Sequence, residues 1–283
     1  MYDVAIIGSG PAAISAALTL KLHNKSIIWF GSKKLSPKVE KSEKIANYPG
    51  VPMVTGPELN LLYREQIEAM GLEITERQVT NIATSRRGFM VLGGNDIYDA
   101  KTVLIATGAT NGKGFPGETE LLGHGVSYCA TCDGFLYQGK TIAVYCGSKD
   151  FEHEVTYLAE IADKVYLFTP YACELTRDNI VVNPGNKLKA IRGEKKVNGV
   201  ELLDGVTLDV DGVFVIRSAV APANLLKGIE LSGADIFVDR NMATNKPGCF
   251  AAGDCTGRPY QLTKAVGEGN VAAHSIVTYL AEQ

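Results

Sequence analysis

The sequence has no apolar run near the roughly 20 residues that a membrane span needs, so no membrane association is expected. Charge of one sign is also scarce. Lys and Arg number 28 against 31 acids, a net of -3, which gives no global attraction to nucleic acid. The four histidines share no spacing. No second Cys or His pair stands at ligand spacing, so neither a zinc site nor any other metal is expected. Met1 leads directly into a strand pattern, with no basic stretch and no small-residue cleavage site, so a secretory signal is not expected. Six cysteines in 283 residues are too few for a disulfide scaffold. They suit a reducing cytoplasm, where a disulfide is usually catalytic. Low-complexity segments are absent too. What remains is ordinary globular material, 46% hydrophobic and 21% charged, long enough for one large domain or two medium ones.

The most informative stretch is Cys129-Ala130-Thr131-Cys132-Asp133-Gly134. Two cysteines separated by two residues can close a small disulfide and shuttle two electrons and two protons. The nucleophile in such an exchange is a thiolate. Asp133, directly after the second sulfur, is placed to act as acid and base for these sulfurs; Asp-Gly also favours a turn. Cys146, Cys249 and Cys255 fall at strand ends and read as core residues.

Tyr2 to Ile7 reads as a buried strand stopped by glycine. Gly8-Ser9-Gly10-Pro11-Ala12-Ala13 follows, then a helix to about Leu22 and a second strand over 26–30, which is a βαβ opening. Gly8 permits the tight turn. Gly10 lets backbone approach a pyrophosphate, and the helix N-terminus supplies amides and a favourable dipole. The acid expected about 20 residues on, for a ribose hydroxyl, is replaced by Phe30-Gly31; that weakens a nicotinamide reading here and leaves flavin adenine dinucleotide open.

Residues 32–44 are lysine-rich and read as a solvated loop or as a docking patch for an acidic partner. Thr55 and Glu58 form a capping-box pattern ahead of a helix to about Met70. Short strands are expected at 72–74, 79–85, 89–92, 97–98 and 101–106, the last ending in Thr107-Gly108. A domain boundary is placed near Phe115-Pro116-Gly117. A second βαβ layout spans 140–168, but its turn, Cys146-Gly147-Ser148-Lys149-Asp150-Phe151, lacks the glycine pattern. Cys249 to Asp254 reads as a strand delivering an acid at its C-terminal end. A long helix over 263–281 follows, with Gly267 and Gly269 read as allowing close approach to a cofactor.

The glycine turn, Thr107-Gly108, the Cys-Ala-Thr-Cys-Asp-Gly motif and Gly253-Asp254 occur in the order and spacing of the low-molecular-weight thioredoxin reductases. The chain resembles that family over essentially its whole length. The resemblance implies an α/β fold of two Rossmann-like (three-layer ββα) dinucleotide-binding-type domains, the first split around the second. It implies an FAD-binding domain over 1–113 and 245–283, a central disulfide domain over 114–244, and a homodimer. It places Gly8, Ser9, Gly10, Pro11 and Ala12 at the pyrophosphate and Asn47 at the isoalloxazine. Val79 falls near the adenine, and Ala106, Thr107 and Gly108 along the cofactor. Gly253 and Asp254 fall at the ribityl chain, and Gln261 at the pyrimidine edge. Cys132 becomes the flavin-proximal sulfur and Cys129 the one that attacks the thioredoxin disulfide. The family's Gly-Gly-Gln loop is replaced by Leu35-Ser36-Pro37.

The second turn departs further. The family's G-x-G-x-x-A positions are Cys146, Ser148 and Phe151, and its His-Arg-Arg falls at Thr169-Pro170-Tyr171. A phenylalanine crowds the pyrophosphate position, and no guanidinium is left for a bidentate contact to the 2'-phosphate. The pattern resembles the ferredoxin-dependent flavin thioredoxin reductases, a branch without NADPH motifs. It implies electron delivery by a small acidic iron-sulfur protein, ferredoxin, and thioredoxin as substrate. Three alternatives remain open: a flavin dithiol oxidase with oxygen as acceptor, a reductase with a divergent NADPH site, and a flavin-bound redox sensor without turnover.

Overall fold

The computed structural model describes residues 1–109, 114–128, 130–217 and 222–283. The chain divides into two compact units, residues 1–112 with 222–283, and residues 113–221.

The first unit opens with β1 (Tyr2–Ile7), α1 (Pro11–Leu22), β2 (Ile27–Phe30), α2 (Pro37–Glu40), α3 (Gly56–Ala69), β3 (Val79–Ser85), β4 (Gly88–Gly93) and β5 (Asp96–Ile105). In sheet order these run β2-β1-β5-β4-β3. The residue pattern predicts separate strands at 97–98 and 101–106, but the structure has one strand, β5. Its first half pairs antiparallel with β4, from Asp96 opposite Gly93 to Ala100 opposite Phe89. Its second half pairs parallel with β1. One continuous backbone thus serves a solvent-washed meander and a buried parallel core, so its hydrophobic pattern changes midway from alternating to continuous. The strand expected at 72–74 is only a bridge between Phe30 and Thr75.

Residues 32–44 are more than a solvated loop. Ser36 caps α2 by accepting the Val39 amide, and Leu35 and Val39 are buried under it. The predicted capping box opens α3: the Thr55 amide donates to Glu58 Oε2 (2.7 Å), and the Glu58 amide donates to Thr55 Oγ1 (3.4 Å).

The second unit contains β6 (Val126–Ser127), α4 (Ala130–Asp133), β7 (Thr141–Cys146), α5 (Glu152–Ile161), β8 (Lys164–Phe168), β9 (Ile180–Val182), β10 (Leu188–Gly193), β11 (Val197–Leu202), β12 (Thr207–Asp209) and β13 (Gly212–Ile216). Among the described residues a parallel sheet runs β6-β13-β7-β8-β9, and β10-β11-β12 form an antiparallel meander. The sequence is Rossmann-like in both units because the central parallel strands, β1 and the second half of β5 in one and β7 and β13 in the other, are short, largely buried apolar runs.

The chain rejoins the first unit at residue 222, ahead of the return expected near 245. The reason is local: α6 (Pro222–Leu225) packs on β3, and Leu226 bridges Ile82. Next come β14 (Leu231–Ser232), β15 (Asp235–Ile236), β16 (Cys249–Ala251), which adds to β5 in parallel, and α7 (Leu262–Ala281). Helices α1 and α7 press together through small residues, Ala12, Ala13, Ala16 and Ala17 against Ala265, Gly269, Ala272 and Ala273. A Cβ on Gly269 would stand 2.1 Å from the Ala12 carbonyl oxygen. That glycine therefore serves helix packing, not the cofactor approach read from the sequence. Among the described residues no helix is long and apolar enough to cross a membrane.

Candidate functional site

In the first unit four parallel strands stop in register. Ile7 of β1 lies opposite Phe30 of β2 and Ile105 of β5, and Ile105 lies opposite Ala251 of β16. Everything that follows these strands is delivered to one edge, the carboxyl edge where doubly wound sheets take their ligands. That edge gathers Gly8, Ser9, Gly10, Pro11 and Ala12 after β1, Gly31 after β2, Ala106, Thr107 and Gly108 after β5, and Gly253 and Asp254 after β16.

The turn after β1 is tight and its outer side is open. Gly8 has φ +116° and lies so close to β5 that a Cβ would sit 2.1 Å from the Ala106 oxygen. Trp29 fixes the turn from below, its Nε1 donating to the Gly8 oxygen at 2.7 Å. Ser9 Oγ accepts the Ser32 amide at 3.0 Å. Around Gly10 and Gly108, by contrast, an added Cβ would meet nothing within 4 Å. Gly10 caps α1 without a side chain, Pro11 follows, and the first turn carries no acid. The first amides of α1 therefore have no side-chain cap competing for them, and the helix dipole favours an anion there. Thr107 Oγ1 is buried without a hydrogen-bond partner. A buried orphan hydroxyl beside an open glycine turn fits a dinucleotide with polar groups of its own.

Asn47 and Gln261 come together, Nδ2 donating to Oε1 at 3.1 Å. Asp254 Oδ2 accepts Lys38 Nζ at 2.9 Å, and Lys38 also lies over the Tyr260 ring. Lys38 belongs to α2; in the sequence it reads only as one charge of the lysine-rich segment 32–44. Val79 pairs with Gly93, against which the Phe30 ring packs, and so stands beside the end of β2.

In the second unit Cys129 lies outside the described residues. The backbone of Cys132 lies in α4. Asp133 is held from across the motif, Ser127 Oγ donating to its Oδ2 at 2.6 Å. Glu154 of α5 accepts the Ala130 amide; burial pushes its carboxyl up, opposed by the neighbouring His153 charge and by that bond. Next to the motif stands a fully buried carboxylate, Glu118. Its Oε1 accepts the Tyr128 hydroxyl at 2.9 Å and is ion-paired with Arg217; its Oε2 accepts the Phe115 amide at 2.8 Å. Removing one partner of such a buried pair costs about 3–5 kcal/mol. These three side chains come from separate parts of the chain and carry no local motif.

The crevice at the end of β7 is occupied by the protein itself. The Tyr171 hydroxyl donates to Cys146 Sγ at 3.3 Å, and the Cys146 thiol points at the Ser148 oxygen. Phe151, Tyr171, Cys173 and Leu175 pack on the core there. Burial pushes the Cys146 thiol up, as it does Cys173; Cys249 and Cys255, fully buried in the first unit, are pushed up to about 12 by the same cause. All four are free thiols, and Cys146, Cys249 and Cys255 are the core residues expected. Ser148 accepts the Asp150 amide, and α5 begins with Glu152 and Glu154 in its first turn. A phosphate there would meet a short 3-10 turn, Lys149–Phe151, already capped by Ser148, and the like charge of the acids that begin α5.

A profile of the pyridine nucleotide-disulphide oxidoreductase family matches residues 2–269. A thioredoxin reductase of Treponema pallidum is 34% identical, covering 99% of this chain and 97% of its own. One from Bacillus subtilis is 31% identical over 100% of this chain and 96% of its own. A crystal structure of a ferredoxin-flavin thioredoxin reductase from Clostridium acetobutylicum superposes with a TM-score of 0.92 at 42% identity, covering 99% of this chain and 98% of that one.

Proposed function

This chain belongs to the pyridine nucleotide-disulphide oxidoreductase family, and from that premise we propose that it reduces thioredoxin through a Cys129–Cys132 dithiol with electrons from reduced ferredoxin. It is a homologue of thioredoxin reductases, which are flavoproteins, and its cofactor is FAD. Bound FAD supplies storage for two electrons and a route to a disulfide. The open glycine turn, Gly8 to Ala12, would take the pyrophosphate. Ala106 to Gly108 would lie along the cofactor, and Val79 would be near the adenine. Asp254, after Gly253, would take the ribityl chain, and Asn47 with Gln261 the ring.

The exchange itself belongs to the chain's own sulfurs. The Cys129 thiolate attacks one sulfur of the thioredoxin disulfide, forming a mixed disulfide and releasing one thioredoxin thiolate. The Cys132 thiolate then attacks the Cys129 sulfur, closes the Cys129–Cys132 disulfide and releases the second thiolate. Asp133, oriented by Ser127, relays the protons that these thiolates take up. We also assign the protein to the cytoplasm, from its few cysteines, and to a homodimer, as the family resemblance implies.

The choice of donor rests on one observation, the self-filled crevice after β7. Tyr171 is bonded to Cys146 where a pyrophosphate would approach, and acids begin the helix behind it. The Clostridium acetobutylicum neighbour, named for ferredoxin and flavin, agrees in direction. The purified yellow protein should reduce thioredoxin when given reduced ferredoxin and should yield no thioredoxin thiols with NADPH. Turnover with NADPH at a comparable rate overturns the donor. Peroxide release from small dithiols under oxygen, without thioredoxin reduction, overturns the reductase reading in favour of an oxidase.

A further inference from the structure

We propose that Glu118 is a positioning residue for the dithiol, acting through Tyr128 on one side and Arg217 on the other. The inference rests on the Cys129–Cys132 exchange proposed above and adds to it the element that sets the geometry of that exchange. Tyr128 is the residue before Cys129 in the sequence and follows β6. Its hydroxyl is fixed on Glu118 Oε1 at 2.9 Å, and Glu118 is wholly buried. Arg217 follows β13 directly. It stands over the turn after β7, where a Cβ on Gly147 would lie 3.3 Å from the Arg217 Cβ.

The root of the Arg217 side chain therefore lies beside this turn, while its guanidinium is paired with Glu118 and lies over the Phe115 ring. One buried carboxylate thus does two things. It holds the Arg217 guanidinium at the end of β13, and through Tyr128 it ties the chain before Cys129 to the parallel sheet. Ser127, bonded to Asp133, closes the other side of the motif. A disulfide between residues three apart forms readily only if both sulfurs are presented at a fixed geometry. Tyr128 held on Glu118 restricts the chain on the Cys129 side, and this favours the closed disulfide over the dithiol.

The test uses the full-length holoprotein and Tyr128→Phe, which removes only the hydroxyl. Both proteins are equilibrated against graded ratios of reduced and oxidised dithiothreitol. The fraction of Cys129–Cys132 disulfide is then read by alkylation and peptide mass spectrometry. The equilibrium should shift about tenfold toward the dithiol, which is about 30 mV for a two-electron couple. A merely structural role lowers the melting temperature without moving this equilibrium in the folded protein.

Glu118→Gln keeps an acceptor for Tyr128 but removes the Glu118 charge from Arg217. It should shift the equilibrium in the same direction, and the double variant should shift it by less than the sum of the two. An unchanged equilibrium in Tyr128→Phe, or strict additivity in the double variant, overturns the inference and leaves the dithiol reading standing. If no ratio yields a Cys129–Cys132 disulfide in the parent protein, both fall together.

Discussion

After β1 the chain leaves its sheet through Gly8, Ser9 and Gly10. After β7 it leaves through Gly147, Ser148 and Lys149. Both exits follow a buried parallel strand and lead toward a helix, so at the level of fold the two units repeat one plan. They differ in what fills the space above the turn. In the first unit Gly10 and Gly108 face open space, α1 has no side-chain cap, and Thr107 offers an unused hydroxyl. In the second, Ser148 caps the turn, acids begin α5, Tyr171 bonds Cys146, and Arg217 is neutralised by Glu118. On the proposed reading, a few side chains keep a dinucleotide site in one unit and remove it in the other, without disturbing the sheet beneath.

The largest effect should come from the sulfur that acts only in the second unit. Cys129→Ser should retain flavin and abolish thioredoxin reduction, measured as thioredoxin thiols formed with reduced ferredoxin. Retained turnover would show that the second unit does not carry the chemistry assigned to it.

A pair of turn variants sharpens the contrast. Gly8→Ala forces a Cβ against the Ala106 oxygen at a left-handed φ of +116°. It should cost about 3 kcal/mol and lower the flavin content of the purified protein. Ser148→Gly removes a cap in the other turn and should cost only about 0.3 kcal/mol, with flavin content unchanged. Thermal melts and visible spectra read both. Equal effects of the two variants would mean that the turns are not specialised as described.

An effect smaller than that of Gly8→Ala concerns the opposite end of the strands, where the units are alike. Asp3 ties the start of β1 to Ser26 and Lys101, and the Asp211 carboxylate accepts the Thr141 amide at the start of β7. Burial raises the Asp3 carboxyl, but hydrogen bonds from Lys101 and Ser26 outweigh it and hold it at about 2. A folded value below the ordinary 3.8 means that the ionised form is stabilised. This contribution is full at neutral pH and is lost as pH falls from about 4 toward 2. The carboxylate is 23% exposed, so solvent screening keeps the contribution below about 1 kcal/mol. Asp3→Asn should lose that much at neutral pH and show a flatter acid limb in denaturant melts. An unchanged acid limb would remove Asp3 from the clamp.

What could be read from the residues was what is encoded locally. The Thr55–Glu58 capping box, the glycine turn after β1 and the apolar strand runs each depend on a few adjacent residues, and each is present. Strand β5 was split in two by its pattern because its halves face different partners, and partners are not written in one strand. Gly269 was misread because its reason, the Ala12 carbonyl, lies in a distant helix. Lys38 reads as one charge of a lysine-rich segment because the acid it binds, Asp254, lies 216 positions away. The Glu118–Arg217 pair spans 99 positions and the Glu118–Tyr128 bond spans 10. Buried charge pairs of this kind show themselves only when packing is known.

Rapid mixing with NADPH, followed in the visible absorption of the flavin and set beside the same experiment with reduced ferredoxin, separates the two turns most cleanly. A flavin that stays oxidised with the nucleotide and is bleached by the iron-sulfur protein is the expected result. Fast bleaching by NADPH would mean that the crevice after β7 accepts a dinucleotide in spite of Tyr171, Phe151 and the acids of α5.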